Sequence, residues 1–286
     1  MEENPFPGLK ISDSAGLHSV EGRLKCKKCG QSRKYYCYSC CIPLEETKGM
    51  IPTVQLPVKV EIIKHRNEID GKSTAVHAAV VAPEHCTIHT YPCIPDYDKS
   101  KTLLVFPCKE SLTFEQLIKQ CAPLHKDGST IQDTEASDEI KEPPCKVIKT
   151  DITTDKNQCT GIGDKYTSPY DTVVFIDSTW NQTKKIYNDE RLKGLQCIEL
   201  KSRETKFWRH QKDKPRTYLA TIEAIYYFLL EYHQSFVPSE YIGQYDDLLF
   251  FFVFMYGKIK ELYDGGKQLK AYSSPETDKN KAEEKC

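Results

Sequence analysis

An α/β architecture built on a mostly parallel sheet follows from three features of the chain. One is an unbroken apolar run, Val173-Val174-Phe175-Ile176, whose β-branched and aromatic side chains suit a strand buried on both faces. Another is the alternation of strand-like and helix-like segments, which generates a parallel sheet covered by helices. The third is the abrupt end of the apolar run in Asp177-Ser178-Thr179-Trp180, where capping residues open a helix from Thr179 to Tyr187. Ligands in such sheets sit outside the carboxyl ends of strands, beside helix starts. Asp177 is therefore either a helix cap, as is Ser178 beside it, or a carboxylate placed for chemistry.

Taken in order, residues 1–22 are expected as a flexible tail, and residues 23–47 form a dense cysteine and basic segment. Leu56–Lys64 alternates apolar and polar side chains and reads as a strand, as do Thr87–Tyr91 and Leu103–Phe106, the last stopped by Pro107. Ser111 is placed to cap a helix running to Cys121. Residues 124–168 are rich in Asp, Glu, Lys, Thr and Gly, include Pro143-Pro144 and lack periodicity. Such a stretch buries too little apolar surface to offset its ordering entropy and is expected as a mobile insertion. The strand 172–176 and the helix from Thr179 precede a strand at Cys197–Lys201. Leu219, Ile222, Tyr226, Leu229 and His233 then recur at helical spacing, with Thr217 as a candidate cap, and a second long helix spans Tyr245–Tyr263. The last twenty residues are polar and expected to be disordered.

A chain of 286 residues, 39% apolar and 28% charged, has the composition of a soluble globular protein. Its longest strongly apolar stretch, Leu248–Tyr256, falls far short of the ~20 residues that span a bilayer, so it reads as a core helix and no membrane association is expected. Met1–Ser19 lacks a basic region followed by an apolar one, so no signal peptide is visible and an intracellular protein is expected. In that setting thirteen cysteines point to metal or free thiols rather than disulfides. A net charge of −1 gives no global attraction to nucleic acid, so an RNA partner must be held by a local patch, and no DNA partner is expected.

Cys26-x-x-Cys29 and Cys37-x-x-Cys40 are two knuckles separated by seven residues. Two such turns place four thiolates around Zn²⁺, with Gly30 easing the first turn and Cys41 as a spare for Cys40. A full Cys₄ set leaves no open position, so the zinc is structural. Lys25, Lys27, Lys28, Arg33, Lys34, Tyr35 and Tyr36 are interleaved, a basic aromatic surface that suits RNA or an ordinary solvated face. Lys201, Arg203, Lys206, Arg209, Lys212, Lys214 and Arg216, with Phe207, Trp208 and His210 among them, form a second such stretch, diluted by Glu204 and Asp213. Gly71-Lys72-Ser73-Thr74 imitates a phosphate-binding loop but has Arg66 where the motif needs glycine, which excludes nucleoside triphosphate hydrolysis by that route. His65, His77, His85 and His89 lack metal spacing and read as structural.

Phe175-Ile176-Asp177-Ser178-Thr179-Trp180-Asn181-Gln182 carries the Asp-x-Thr-Trp signature and resembles the DTW-domain proteins, tRNA-uridine aminocarboxypropyltransferases. The resemblance covers residues 23–260. Further blocks recur in order: the knuckles, Lys64-His65-Arg66-Asn67-Glu68, Lys72-Ser73-Thr74, Tyr91-Pro92, Val105-Phe106-Pro107, Trp208-Arg209 and Thr221-Ile222-Glu223-Ala224. One departure is Arg66, where the family usually has proline after the histidine.

The resemblance implies a SPOUT-like α/β domain over 48–265 with a trefoil knot. It implies S-adenosylmethionine as donor of its 3-amino-3-carboxypropyl group, and N3 of a tRNA uridine, in the D-loop, as acceptor. It also favours the nucleus over the cytoplasm. Asp177 is the candidate base for the N3 proton. Thr74, Phe106, Pro107, Ser178, Thr179, Trp180, Arg209, Thr221 and Glu223 are the candidate cofactor-binding residues, and Cys26, Cys29, Cys37 and Cys40 the metal ligands. Nothing in the sequence sets an oligomeric state.

Overall fold

A computed structural model describes residues 4–121, 167–208 and 215–266, with the backbone alone at 180 and 181. Two short antiparallel hairpins come first: β1 (Leu24–Lys25) with β2 (Ser32–Arg33), and β3 (Tyr36–Cys37) with β4 (Ile42–Pro43). A five-stranded sheet then forms from β5 (Lys59–Lys64), β6 (Cys86–Thr90), β7 (Thr102–Val105), β8 (Thr172–Asp177) and β9 (Gln196–Ile198). Its order is β6-β5-β8-β7-β9, and every pairing is parallel. The helices are α1 (Ala75–Val81), α2 (Phe114–Cys121), α3 (Trp180–Tyr187), α4 (Thr221–Phe236) and α5 (Phe250–Asp264).

Alternating side chains divide the core into two layers, as the period of a strand requires. Val60 and Ile62, Val173 and Phe175, Leu103 and Ile198 face the larger cluster with α1, α2, α4 and α5. Ile63, Val174, Leu104 and Cys197 face the smaller cluster, where Ile186 of α3 packs. The apolar run 173–176 thus occupies the middle of the sheet, between β5 and β7, which is why it needs apolar residues on both faces. No described helix is long and apolar enough to cross a membrane.

Several boundaries differ from the sequence reading, each for a local reason. Residues 4–22, expected as a flexible tail, are laid on the body instead: Phe6 and Leu17 are buried, and Phe6 meets Phe252 edge-on at 5.6 Å. The Lys10 N–H donates to Asp246 Oδ2 at 2.7 Å, and the Ser12 N–H to Asp247 Oδ1 at 2.6 Å. Thr113, not Ser111, caps α2: its Oγ1 accepts from the Gln116 N–H at 3.3 Å while Gln116 Oε1 accepts from the Thr113 N–H at 2.8 Å. At α4 the cap is Ala220 rather than Thr217, and the Ala220 N–H donates to the Glu223 carboxylate at 2.8 Å. The strand expected at Cys197–Lys201 stops at Ile198, and the second long helix begins at Phe250 after a 3₁₀ turn, Asp246–Leu249. Most of the 124–168 insertion and the last twenty residues lie outside the described residues.

Candidate active site at the end of strand β8

The chain leaves the sheet at Asp177 and reaches the start of α3 two residues later. Thr179 is the cap of that helix, with φ −67° and ψ 150°, and its N–H donates to Gln182 Oε1 at 3.4 Å. Asp177 and Ser178 therefore do not cap the helix. The Asp177 carboxylate turns into the protein, 5% exposed, where Oδ2 accepts from the Ser73 hydroxyl at 2.7 Å and Oδ1 from the Thr221 hydroxyl at 2.6 Å. Burial pushes its pKa above the usual carboxylate range; the two hydroxyl donors and the nearby Lys64 charge oppose the shift, and Asp70 adds to it. Lys64 is itself ion-paired with Asp70.

Beside this carboxylate lies a cavity of about 370 Å³, a size suited to a small ligand. Three loops at the carboxyl ends of β7, β8 and β9, together with the start of α4, build its walls. Phe106, Pro107, Ser178 and Thr221, four of the candidate cofactor-binding residues, line it. Phe106 is held by stacking on Tyr187, with ring centroids 4.2 Å apart, and the Ser178 and Thr183 hydroxyls are 2.8 Å apart. The sequence reading missed Glu199, Ser202, Thr217, Tyr218 and Leu219 as lining residues, since they sit in irregular backbone without a motif. Its lining combines apolar walls (Phe175, Ile198, Leu200), a carboxylate (Glu199) and cations (Lys201, Arg203), a mixed surface for a ligand with both apolar and charged parts.

Three other candidate residues are engaged by the protein itself. Glu223 is fully buried and accepts from the Thr205 hydroxyl at 2.5 Å, the Lys206 N–H at 2.7 Å and the Ala220 N–H at 2.8 Å, so it staples the wall segment after β9 to α4. Burial raises its pKa against those three donors. Thr74 Oγ1 accepts from the Ile222 N–H at 3.2 Å and ties α1 to α4. Thr179 is spent on the cap and stands outside the cavity lining. The Trp180 side chain and all of Arg209 lie outside the described residues.

In the hairpins, the sulfurs of Cys26, Cys29, Cys37 and Cys40 all lie within 4.8 Å of one another, and Cys29 and Cys37 are 3.6 Å apart. A tetrahedron with bonds of about 2.3 Å would hold sulfurs about 3.8 Å apart, so the set fits a zinc ion. Backbone N–H groups of Cys29 and Lys28 lower the Cys26 thiol to about 7. Gly30 takes the left-handed conformation the first knuckle demands, with φ 72°. Cys41 stands apart, its thiol turned to the Tyr38 carbonyl at 3.9 Å.

The aromatic residues of the basic stretches are largely committed to packing. Tyr35 meets Phe254 at 4.9 Å, Tyr36 meets Phe251 at 4.5 Å, and Trp208 meets Phe252 at 5.0 Å. Lys201 pairs with Glu115 at 2.9 Å, Arg203 with Glu231, and Arg216 with Glu204 at 3.8 Å. By contrast, exposed Arg66 and Lys185 flank buried His65, lowering its pKa together with burial, and have no carboxylate partner among the described residues. His65 adjoins the active site directly, its N–H donating to the Asp177 carbonyl at 2.9 Å.

A DTW domain model matches residues 34–260. The chain is 45% identical over 267 residues to tRNA-uridine aminocarboxypropyltransferase 1 of Xenopus tropicalis, covering 91% of this chain and 88% of that one. It is 46% identical over 279 residues to the Rattus norvegicus protein of that name (94% and 88% covered) and 44% over 268 residues to the Homo sapiens one (90% and 84%). No solved structure is matched.

Proposed function

This chain belongs to the DTW-domain family, and from that premise we propose that it transfers the 3-amino-3-carboxypropyl group of S-adenosylmethionine to N3 of a tRNA uridine in the D-loop, acting in the nucleus. The observation that carries the reading is the buried Asp177 carboxylate behind a ligand-sized cavity, joined to it by Thr221. Uridine N3 holds a weakly acidic proton and must lose it to become a nucleophile. Asp177 serves as general base, and its raised pKa makes it a stronger proton acceptor than an exposed carboxylate.

Arg203 and Lys201 are the cations of the cavity wall, each paired with a protein carboxylate that the donor's carboxylate would have to share, and Glu199 is suited to the donor's positive charge. Phe106, Pro107 and Ser178 are the residues that would hold the donor, and the choice of the γ-carbon over the methyl would follow from how they position the sulfur. The hairpins hold structural zinc. Arg66 and Lys185, at the same end of the sheet, receive RNA phosphates. A trefoil knot rests on the family resemblance, and the five-stranded parallel sheet is compatible with it.

Incubation of the protein with unmodified tRNA and S-adenosylmethionine tests the proposal. Methylthioadenosine release is expected; S-adenosylhomocysteine instead would make the protein a methyltransferase. Asp177→Asn is expected to fold and to lose turnover, and near-normal turnover would remove Asp177 from the base role.

A further inference from the structure

We propose that Thr221 carries the uridine proton to Asp177, so that the base is a hydroxyl–carboxylate pair rather than the carboxylate alone. The inference rests on the transfer reading above and adds to it a residue with a chemical step.

Asp177 is buried and does not line the cavity, whereas Thr221 is partly exposed and does. Both carboxylate oxygens already hold a hydroxyl proton, from Ser73 at 2.7 Å and Thr221 at 2.6 Å. A uridine in the cavity therefore meets the Thr221 oxygen before it meets the carboxylate. Because that hydroxyl donates inward, its lone pairs are left to accept, and no described residue donates to it. Ser73 has no such position: its hydroxyl accepts from the Ala75 N–H at 3.1 Å and is buried on the far side of Asp177.

Thr221 is also held in place from both sides. Its neighbour Ala220 is fixed by Glu223 at 2.8 Å and Ile222 by Thr74 at 3.2 Å. Two family-block residues that stand outside the cavity lining thereby acquire a purpose, which is to fix the backbone that aims this hydroxyl.

As the N3–H bond breaks, its proton passes to Thr221 Oγ1 while the hydroxyl proton passes to Asp177 Oδ1. The N3 electron pair forms the bond to the γ-carbon. The carbon–sulfur bond breaks, and its electron pair stays on sulfur in a neutral thioether. Thr221 ends unchanged, and Asp177 ends protonated until product release returns the proton to solvent.

Three substitutions at one position separate a relay from a packing role. Thr221→Ser keeps the hydroxyl and is expected to retain most of the rate. Thr221→Val keeps the volume, removes the hydroxyl and excludes water, so kcat is expected to fall about 100-fold or more, the size of a general-base contribution. Thr221→Ala leaves room for a water to stand in, and is expected to lose less than Thr221→Val. The readouts are methylthioadenosine release on unmodified tRNA, KM and calorimetric affinity for S-adenosylmethionine, which separate a loss of donor binding from a loss of turnover, and thermal melts to show folding. Activity of Thr221→Val equal to or above that of Thr221→Ala overturns the relay, because packing favours the isosteric side chain. If Thr221→Val turns over normally while Asp177→Asn is inactive, the relay fails and the base assignment stands. Normal turnover by Asp177→Asn removes both.

Discussion

Ser73→Ala perturbs the ionisation of Asp177 without touching the cavity. The Ser73 hydroxyl lies 2.7 Å from Asp177 Oδ2, and with exposures of 7% and 5% neither residue lets water screen the bond. A hydrogen bond to an ionised group in such a place contributes about 1.5–3 kcal/mol. Converted at about 1.4 kcal/mol per decade, its loss changes the ionisation equilibrium about tenfold or more. The bond favours the charged form, so removing it raises the pKa further in the direction that burial has already pushed it. A carboxylate that must be ionised to act as base then stays protonated, and inactive, to higher pH. The assay is kcat/KM for methylthioadenosine release across the pH range. In Ser73→Ala the acid limb should move to higher pH, with a rate about tenfold or more below wild type on that limb and a similar alkaline plateau. Ser73 Oγ also accepts from the Ala75 N–H at 3.1 Å, so some stability at the start of α1 is lost as well, but a stability loss does not displace a pH limb. Superimposable pH profiles from a folded Ser73→Ala would refute the reasoning.

Glu223→Ala removes the acceptor of one buried and two half-buried donors, with a cost of about 1–3 kcal/mol for the buried one and less for the others, so the urea midpoint should fall and KM for S-adenosylmethionine should rise as the wall after β9 loosens; an unchanged midpoint would show that Glu223 is no staple. Zinc analysis should find one ion per chain, and a strong chelator should lower the melting temperature because Tyr35 and Tyr36 of the hairpins pack on α5. Metal-free protein with an unaltered melt would count against that coupling. For tRNA binding, Arg66→Ala and Lys185→Ala should each reduce the slope of log affinity against log salt by about 0.7–0.9, the value of one phosphate contact. Lys201→Ala, already neutralised by Glu115, should change it less, and equal effects at all three positions would refute the assignment of the phosphate surface.

The parts legible in the sequence are those whose cause is local. The run 173–176, its abrupt end and the helix after it follow from side-chain period and capping within a dozen residues. The helix α1 leaves no mark in the sequence because all seven of its residues are buried, with no polar face to show a helical period. The order of the N-terminal segment is not local, because what holds it, Asp246 and Asp247, stands 235 or more residues away. The cysteine cluster is legible by spacing alone, whereas the tyrosines between the cysteines show their packing partners only in three dimensions.

The same division runs through the active site and explains how the two readings of Asp177 separate. A cap must turn its oxygen to the backbone N–H groups of its own helix, and that duty falls to Thr179, whose backbone is extended and whose N–H is closed by Gln182. Freed of it, the Asp177 carboxylate is claimed by two hydroxyls, 104 residues earlier and 44 later in the chain. No window along the sequence contains all three. The family blocks single out positions 73–74 and 221–223, but a motif marks only that a residue is needed, not which side of a wall it serves. Glu223 and Thr74 brace the wall from behind, and Thr221 alone of these both lines the cavity and touches the carboxylate. A carboxylate buried behind the cavity wall has its basicity raised by burial without exposing a charge to the cavity.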